Sequence, residues 1–213
     1  MNGRTFSLQP FFQSNFLSGI EITGTIARHA NRLAVRYVLH GPLAELMVPA
    51  AADRPARKHG LWEETCFEFF LGVKGEARYW EFNLSPAGHW NVYGFAGYRH
   101  GMAEERAFRS LPVRVRRRPD SLLVAVEPAV GLIVTADRPI EIGIAAVIQL
   151  ADGGLTYWAL THPGLQAYSP AGQFYNGSVI PGCVQRDIVC SPRLYRESPP
   201  VGAVPSPPLQ GIS

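Results

Sequence analysis

Several residue types and patterns are scarce in this 213-residue chain. Lysine occurs only at Lys58 and Lys74, and charged residues make up 17% of the chain, against a usual share of about 25%. The formal net charge of +3 is too small to predict nucleic acid as a partner. No apolar run approaches the roughly 18 to 20 residues that cross a bilayer, so we expect neither a transmembrane helix nor a membrane partner.

Cysteine is also scarce. The three cysteines, Cys66, Cys183 and Cys190, are too few and too irregularly spaced for a disulfide framework or a zinc site. We therefore expect no metal site, and we expect Cys66 to be a small core residue. The first 15 residues lack the continuous apolar stretch of a signal peptide, which predicts a cytoplasmic protein.

Glycine and proline are, in contrast, abundant, with 21 and 18 residues. Each costs roughly 1 to 3 kcal/mol inside a helix, so the composition argues against a helical bundle. Hydrophobic residues make up 46% of the chain and aromatic residues 11%, which excludes global disorder. From Arg196 onward the chain is rich in proline and poor in residues that can be buried. We therefore expect one domain over residues 1–195 and a flexible tail over residues 196–213.

Alternation of apolar and polar residues recurs along the chain and predicts antiparallel strands. The predicted strands are residues 20–26, 33–39, 64–71, 78–84, 90–95, 113–117, 122–126, 140–150 and 155–160. One short helix is predicted over residues 102–110. Nine or ten short strands with almost no helix predict an all-β protein, an antiparallel β-sandwich.

The alternation also predicts which side chains share a face. The core-facing sets on two neighbouring strands are Thr65, Phe67, Phe69 and Leu71, and Trp80, Phe82 and Leu84. The opposite face then carries Glu68, together with Trp62 if the extended conformation begins there. On the next strand the same face carries Glu81 and Asn83. The sequence therefore predicts a polar patch of Glu68, Glu81 and Asn83 beside aromatic rings.

A later hairpin predicts a second aromatic residue beside polar groups. A two-residue loop at residues 152–153 pairs Gln149 with Thr156 and Val147 with Trp158. Trp158, Thr156 and Gln149 are then expected to share one face. A sugar ring has apolar faces that stack on aromatic rings and hydroxyl groups that carboxylates and amides bind. The alternative without a ligand is that these tryptophans are packing residues and the carboxylates are solvated.

Three segments carry a resemblance to a known family. They are residues 60–71 (GLWEETCFEFFL), 79–86 (YWEFNLSP) and 90–93 (WNVY). In combination they resemble the DOMON-like superfamily, in particular bacterial DOMON-like proteins related to family 9 carbohydrate-binding modules. The similarity extends from about Leu33 to His162. It implies an immunoglobulin-like or jelly-roll-like β-sandwich that binds a sugar or, in other DOMON branches, haem.

The resemblance also implies roles for single residues. Family 9 modules hold a terminal sugar between two aromatic rings, and an acidic residue and its polar neighbours bind the hydroxyl groups. Carried over by position, Trp62 is the first ring, Glu68 the acid and Asn83 a polar contact. Glu81 stands where those modules tend to have a basic residue, and Trp158 matches the second ring more loosely. The leading hypothesis is a non-catalytic carbohydrate-binding module that needs no metal and no cofactor, with carbohydrate or another small molecule as its partner.

A haem-binding DOMON domain is one alternative. It requires an axial methionine and histidine, for which the candidates are Met47, Met102, His89 and His100. None of these residues lies in a recognisable ligand motif.

Two further alternatives remain. A glycoside hydrolase could use Glu64 and Glu68, but four residues along a strand separate them by about 13 Å, beyond the roughly 5 to 9.5 Å that hydrolysis needs. Glu68 and Glu81 could lie closer together, but nothing in the sequence identifies an acid with a raised pKa. An interaction module without a small ligand could instead bind an acidic partner through a basic cluster, which consists of Arg114, Arg116, Arg117 and Arg118. The sequence leaves the oligomeric state open.

Overall fold

The computed structural model describes residues 3–11, 17 and 19–160 and the backbone of residues 183–185. Short 3-10 helices lie at Leu43–Glu45, Leu61–Glu63 and Val130–Leu132. The strands are β1 (Arg4–Pro10), β2 (Glu21–His29), β3 (Arg32–His40), β4 (Cys66–Val73), β5 (Tyr79–Leu84), β6 (Trp90–Phe95), β7 (Ala103–Glu104), β8 (Arg114–Arg117), β9 (Ser121–Val126), β10 (Ile140–Gln149), β11 (Leu155–Ala159) and β12 (Cys183–Gln185). The protein is therefore all-β, as predicted.

The strands form one curled sheet rather than two separate ones. Their order is β7-β6-β5-β4-β10-β11-β1-β2-β3-β9-β8, and each of these neighbouring pairs is antiparallel. Strand β1 joins the halves, because Gln9 pairs with Ala159 of β11 while Arg4 pairs with Ile26 of β2. We call the first six strands of this order the β4–β10 half and the last five the β2–β3 half.

The sequence prediction missed β1, although its residues alternate. Phe6 and Leu8 point towards the core, while Thr5 and Ser7 are exposed. Without β1 the strands would fall into two unconnected sheets, which is the arrangement that the sandwich prediction assumed.

The inner faces of the two halves share one hydrophobic core. The ring of Tyr37 on β3 lies 5.1 Å from that of Phe67 on β4, and its hydroxyl donates to the backbone oxygen of Glu68 at 2.7 Å. Phe67, Phe69 and Leu71 belong to this core, as do Trp80, Phe82 and Leu84. The predicted faces of β4 and β5 are therefore confirmed.

The predicted helix over residues 102–110 is wrong. The segment contains the short strand β7 and then a loop without helix. Tertiary contacts explain the difference, because the Glu105 carboxylate accepts hydrogen bonds from Trp80 Nε1 and from the backbone nitrogen of Ala107, both at 3.0 Å. These bonds hold the chain against the sheet and override its local helix propensity.

Gly24 on β2 provides a first testable prediction. A Cβ atom built there would lie 2.1 Å from the backbone oxygen of Arg36 and 2.3 Å from Cζ of Phe6. Gly24→Ala is therefore expected to lower the free energy of unfolding by about 1 to 3 kcal/mol, because the backbone and ring must shift. Chemical denaturation measures this loss. Gly97→Ala is the control, since a Cβ at Gly97 meets nothing within 4 Å; equal midpoints for the two variants would contradict the packing described.

Several predictions concern the ends of the chain. Within the described residues no helix is long and apolar enough to cross a membrane. The predicted domain end at residue 195 and the tail over residues 196–213 lie outside the described residues. Strand β12 runs parallel to β10, with Ile140 opposite Cys183. A cytoplasmic location stays a prediction.

Candidate functional site

The β4–β10 half buries a row of polar side chains on the face that points away from the core. Glu68 of β4 lies opposite Asn83 of β5, and Asn83 lies opposite Asn91 of β6. All three are fully buried, at 0% exposure. Directly opposed residues on antiparallel strands have neighbouring side chains. The predicted proximity of Glu68 and Asn83 is therefore confirmed, and Asn91 extends the row.

A second row carries Glu81 between two aromatic residues. Phe70 of β4 and Tyr93 of β6 are the register partners of Glu81. Asn83 Nδ2 donates to Glu81 Oε1 at 2.8 Å. Burial raises the pKa of Glu81 to about 7, although the hydrogen bond from Asn83 acts in the opposite direction. The Glu81 carboxyl therefore changes its charge near neutral pH.

Asn91 is the centre of a hydrogen-bond network at the edge of this face. Its Nδ2 lies 2.8 Å from Tyr93 Oη, 2.9 Å from Glu104 Oε1 and 3.0 Å from the backbone oxygen of Lys58. Its Oδ1 accepts a hydrogen bond from Arg57 Nη1 at 2.8 Å. Burial, and then the nearby Glu104, raise the pKa of Tyr93, so its hydroxyl stays protonated. The network fixes these groups in one orientation.

Aromatic rings surround the polar rows. The cluster consists of Trp62, Phe70, Tyr79, Tyr93, Phe95 and Ala145, with Tyr157 packed against it. The ring of Trp62 lies 5.6 Å from that of Tyr93 and 5.1 Å from that of His59, both edge to face. His59 is exposed, whereas Trp62 is 8% exposed. The His59 and Trp62 rings therefore lie between the solvent and the buried network.

Trp62 reaches this cluster by a different route from the one predicted. It lies in the 3-10 helix Leu61–Glu63, after Gly60 with φ +74°. Strand β4 begins only at Cys66. The strand alternation therefore does not apply to Trp62, but the turn still places its ring on the face that carries Glu68.

The predicted position of Trp158 is wrong. Gln149 pairs with Leu155 rather than with Thr156, and Val147 pairs with Tyr157. A shift of register by one residue exchanges the two faces of a strand. Trp158 therefore belongs to the main core, at 2% exposure, and Tyr157 takes its place in the Trp62 cluster.

The loop of this hairpin explains the shift. The backbone nitrogen of Leu150 donates to the oxygen of Gly154 at 2.8 Å, which leaves three loop residues rather than two. Gly153 has φ +87°. A three-residue loop with glycine in the left-handed region is the next most common hairpin connection after the two-residue loop.

Gln149 lies away from the polar row. It is the last residue of β10, four positions beyond Ala145, which is the register partner of Glu68. Four residues correspond to about 13 Å along a strand. The backbone nitrogen of Gln149 donates to Thr65 Oγ1 at 3.0 Å. Gln149 therefore shares the face but does not adjoin Glu68.

The four candidate haem ligands lie outside the buried polar rows. Met47 and Met102 lie at the surface, at 52% and 46% exposure. His89 Nδ1 accepts a hydrogen bond from the backbone of Ala56 at 3.1 Å, and His100 lies in a surface turn. In the described part of the chain no three His, Cys, Asp or Glu residues could hold a metal ion.

Glu64 and Glu68, the first carboxylate pair of the hydrolase alternative, have different surroundings. Glu64 is exposed and follows the 3-10 helix, whereas Glu68 is buried in β4. Their arrangement gives no support to a pair that acts on one glycosidic bond.

Comparison with known proteins shows a similarity of fold to solved structures and no match by sequence. No protein-family model matches the chain, and no curated protein matches it either. A crystal structure described as a putative carbohydrate-binding protein from Bacteroides uniformis has a TM-score of 0.50 and 17% identity, over 73% of this chain and 78% of that one. A family 9 carbohydrate-binding module from Caldicellulosiruptor kristjanssonii, in complex with cellotriose, has a TM-score of 0.41 and 12% identity, over 74% and 72%.

Proposed function

We propose that the chain is a non-catalytic module that binds a carbohydrate on the outer face of the β4–β10 half. The observation that carries the proposal is the buried row of Glu68, Asn83 and Asn91 beside Trp62. We further propose that the curled sheet is a variant of the DOMON-like sandwich. The likeness of fold to a protein described as a putative carbohydrate-binding protein supports the proposed sugar binding.

Burial of this polar row lowers the stability of the folded protein, which favours a functional role for it. Removing a carboxylate from water is unfavourable, and apolar residues of similar size are often as stable or more stable. Glu81 has a raised pKa because of this cost. A sheet face that needed only to be covered would be expected to carry apolar residues, as Phe70 and Phe95 do on the same face.

The side chains match what a sugar offers. Carboxyl oxygens of Glu68 and Glu81 accept hydrogen bonds from hydroxyl groups, whereas the amide group of Asn83 both donates and accepts. The ring of Trp62 provides an apolar platform. In this proposal a sugar ring displaces the edge contact between Trp62 and its neighbours, and Tyr157 takes the part of the second ring.

Calorimetric titration with soluble oligosaccharides tests this function. The panel comprises gluco-, xylo-, manno- and galacto-oligosaccharides. At least one is expected to bind saturably. Trp62→Ala should weaken that binding by about 2 kcal/mol, or about 30-fold, because the stacking platform is lost.

Glu68→Gln and Leu132→Ala complete the design. Glu68→Gln keeps the shape of the side chain but replaces one carboxyl oxygen with an amide nitrogen, and it should also weaken binding. Leu132 is an exposed apolar residue outside this face, so Leu132→Ala should bind like the wild type. Absence of binding across the panel, or full affinity in Trp62→Ala, would overturn the proposal.

A further inference from the structure

A cleft of about 590 Å³ lies on the outer face of the β2–β3 half. Thr25, Ala34 and Ala125 line its floor, and Arg36 and Arg114 line its walls. Its volume falls within the range of about 300 to 1,000 Å³ that is usual for small-molecule sites. The cleft lies on the other half of the sheet from the proposed sugar site and is independent of that function.

The strand register explains the shape of this cleft. Arg36 of β3 and Arg114 of β8 are both register partners of Ala125 on β9. Val124 and Val126 point into the core, so Ala125 points outward. The two arginines thus lie two strand spacings apart, about 9 to 10 Å between their backbones. Since Ala125 has only a methyl group, it leaves a gap between the two guanidinium side chains.

The charges in the cleft are not balanced. Glu127 is held by Arg32, whose Nε lies 2.9 Å from Glu127 Oε1 and whose Nη2 donates to the Glu127 backbone oxygen at 2.9 Å. Within the described residues, Arg36 and Arg114 are exposed and form no ion pair. The cleft therefore has a net positive charge on a floor of small side chains.

The arginines of the basic cluster do not all lie on one face. Arg114 and Arg116 alternate with Val115 and are exposed, so they share the outer face. Arg117 instead donates from Nη2 to the backbone oxygens of Val48 and Pro49, at 2.9 and 3.0 Å. The relevant partner of Arg114 is therefore Arg36, which is distant in the sequence.

We propose that this cleft binds a small molecule that carries a carboxylate, phosphate or sulfate group, held between Arg36 and Arg114. The planar guanidinium group matches such oxyanions with two parallel hydrogen bonds. The methyl groups of Ala34 and Ala125 provide an apolar contact for the body of the ligand. Arg116, on the same strand and face as Arg114, adds to the attraction.

Calorimetric titration of the full chain at low ionic strength tests this site. The probes are inorganic phosphate, sulfate, citrate and glucuronate, with glucose as the uncharged reference. Saturable binding of at least one anion is expected. Arg36→Gln and Arg114→Gln should each weaken it about tenfold or more, because each removes a charged hydrogen-bond donor. Preference for phosphate and sulfate, or for citrate and glucuronate, identifies the source of the oxyanion.

Two further variants separate a built site from general charge attraction. Arg118→Gln removes the same charge outside the cleft lining and should leave the affinity unchanged. Ala125→Leu keeps the charge but fills the gap, and it should abolish binding. The proposal is overturned if none of the four anions binds saturably. It is equally overturned if Arg118→Gln weakens binding as much as Arg36→Gln does, or if Ala125→Leu binds like the wild type.

Discussion

Trp158→Ala is expected to lower the free energy of unfolding by about 3 to 5 kcal/mol, as is usual when a core tryptophan is truncated. Trp158 belongs to the main core at 2% exposure, and its Nε1 donates to Thr156 Oγ1 at 3.0 Å. Truncation leaves a cavity between the two halves of the sheet. Where this variant is too unstable to purify, Trp158→Phe should show a smaller loss with the same sign.

Substitution of the neighbouring residue, Tyr157, should affect sugar binding more than stability. Tyr157 is partly buried and packs against the cluster of Trp62. Tyr157→Ala is expected to cost less stability than Trp158→Ala and to weaken sugar binding. Chemical denaturation and calorimetric titration on the same two variants measure both effects. A stable Trp158→Ala variant that has lost sugar binding would contradict the register described here.

Glu81 should make the stability of the protein depend on pH. Its folded pKa is raised from 4.5 to about 7 by burial. The folded state therefore retains a proton that the unfolded state has released between these two values. The stabilisation that protonated Glu81 gives the folded state is complete below about pH 4.5. It decreases as the pH rises and is lost above about pH 7. The shift corresponds to a loss of about 3 kcal/mol, at about 1.4 kcal/mol per pH unit.

Glu81→Gln measures this contribution. Glutamine keeps the acceptor for Asn83 Nδ2 but carries no titrating group. Denaturation from pH 4.5 to 8 should show that the difference in stability between variant and wild type shifts by about 3 kcal/mol in favour of the variant. Glu127→Gln removes an exposed carboxylate paired with Arg32 and should follow the wild-type curve in shape. Parallel curves for wild type and Glu81→Gln would contradict a pKa of Glu81 that burial raises.

The faces of β4 and β5 could be predicted because their alternation is unambiguous. Each has a run of large apolar residues at every second position, such as Phe67 and Phe69, and only one face of that run fits the core. The position of Glu68 opposite Asn83 follows from the short connection between the strands. Asn91 and Tyr93 could have been found by the same argument, since the short turn before β6 places Asn91 opposite Asn83.

Other features depend on contacts that local patterns do not contain. The assignment of Trp158 failed because a glycine at position 153 is compatible with loops of two or three residues, and the difference reverses the strand faces. The helix over residues 102–110 failed because Glu105 is held by Trp80, which lies on another strand. The positions of Arg36 and Arg114 on either side of Ala125 depend on the order of strands in the sheet.

The indole N–H signals of the four tryptophans, followed by NMR during titration with the oligosaccharide that binds best, test the central claim most directly. Trp62→Phe assigns the critical signal. The Trp62 signal is expected to shift saturably, while the Trp158 and Trp80 signals stay in place, because their Nε1 atoms donate to Thr156 and Glu105 within the protein. A saturable shift of Trp158 with Trp62 unchanged would contradict the account, and so would a titration in which no indole signal moves.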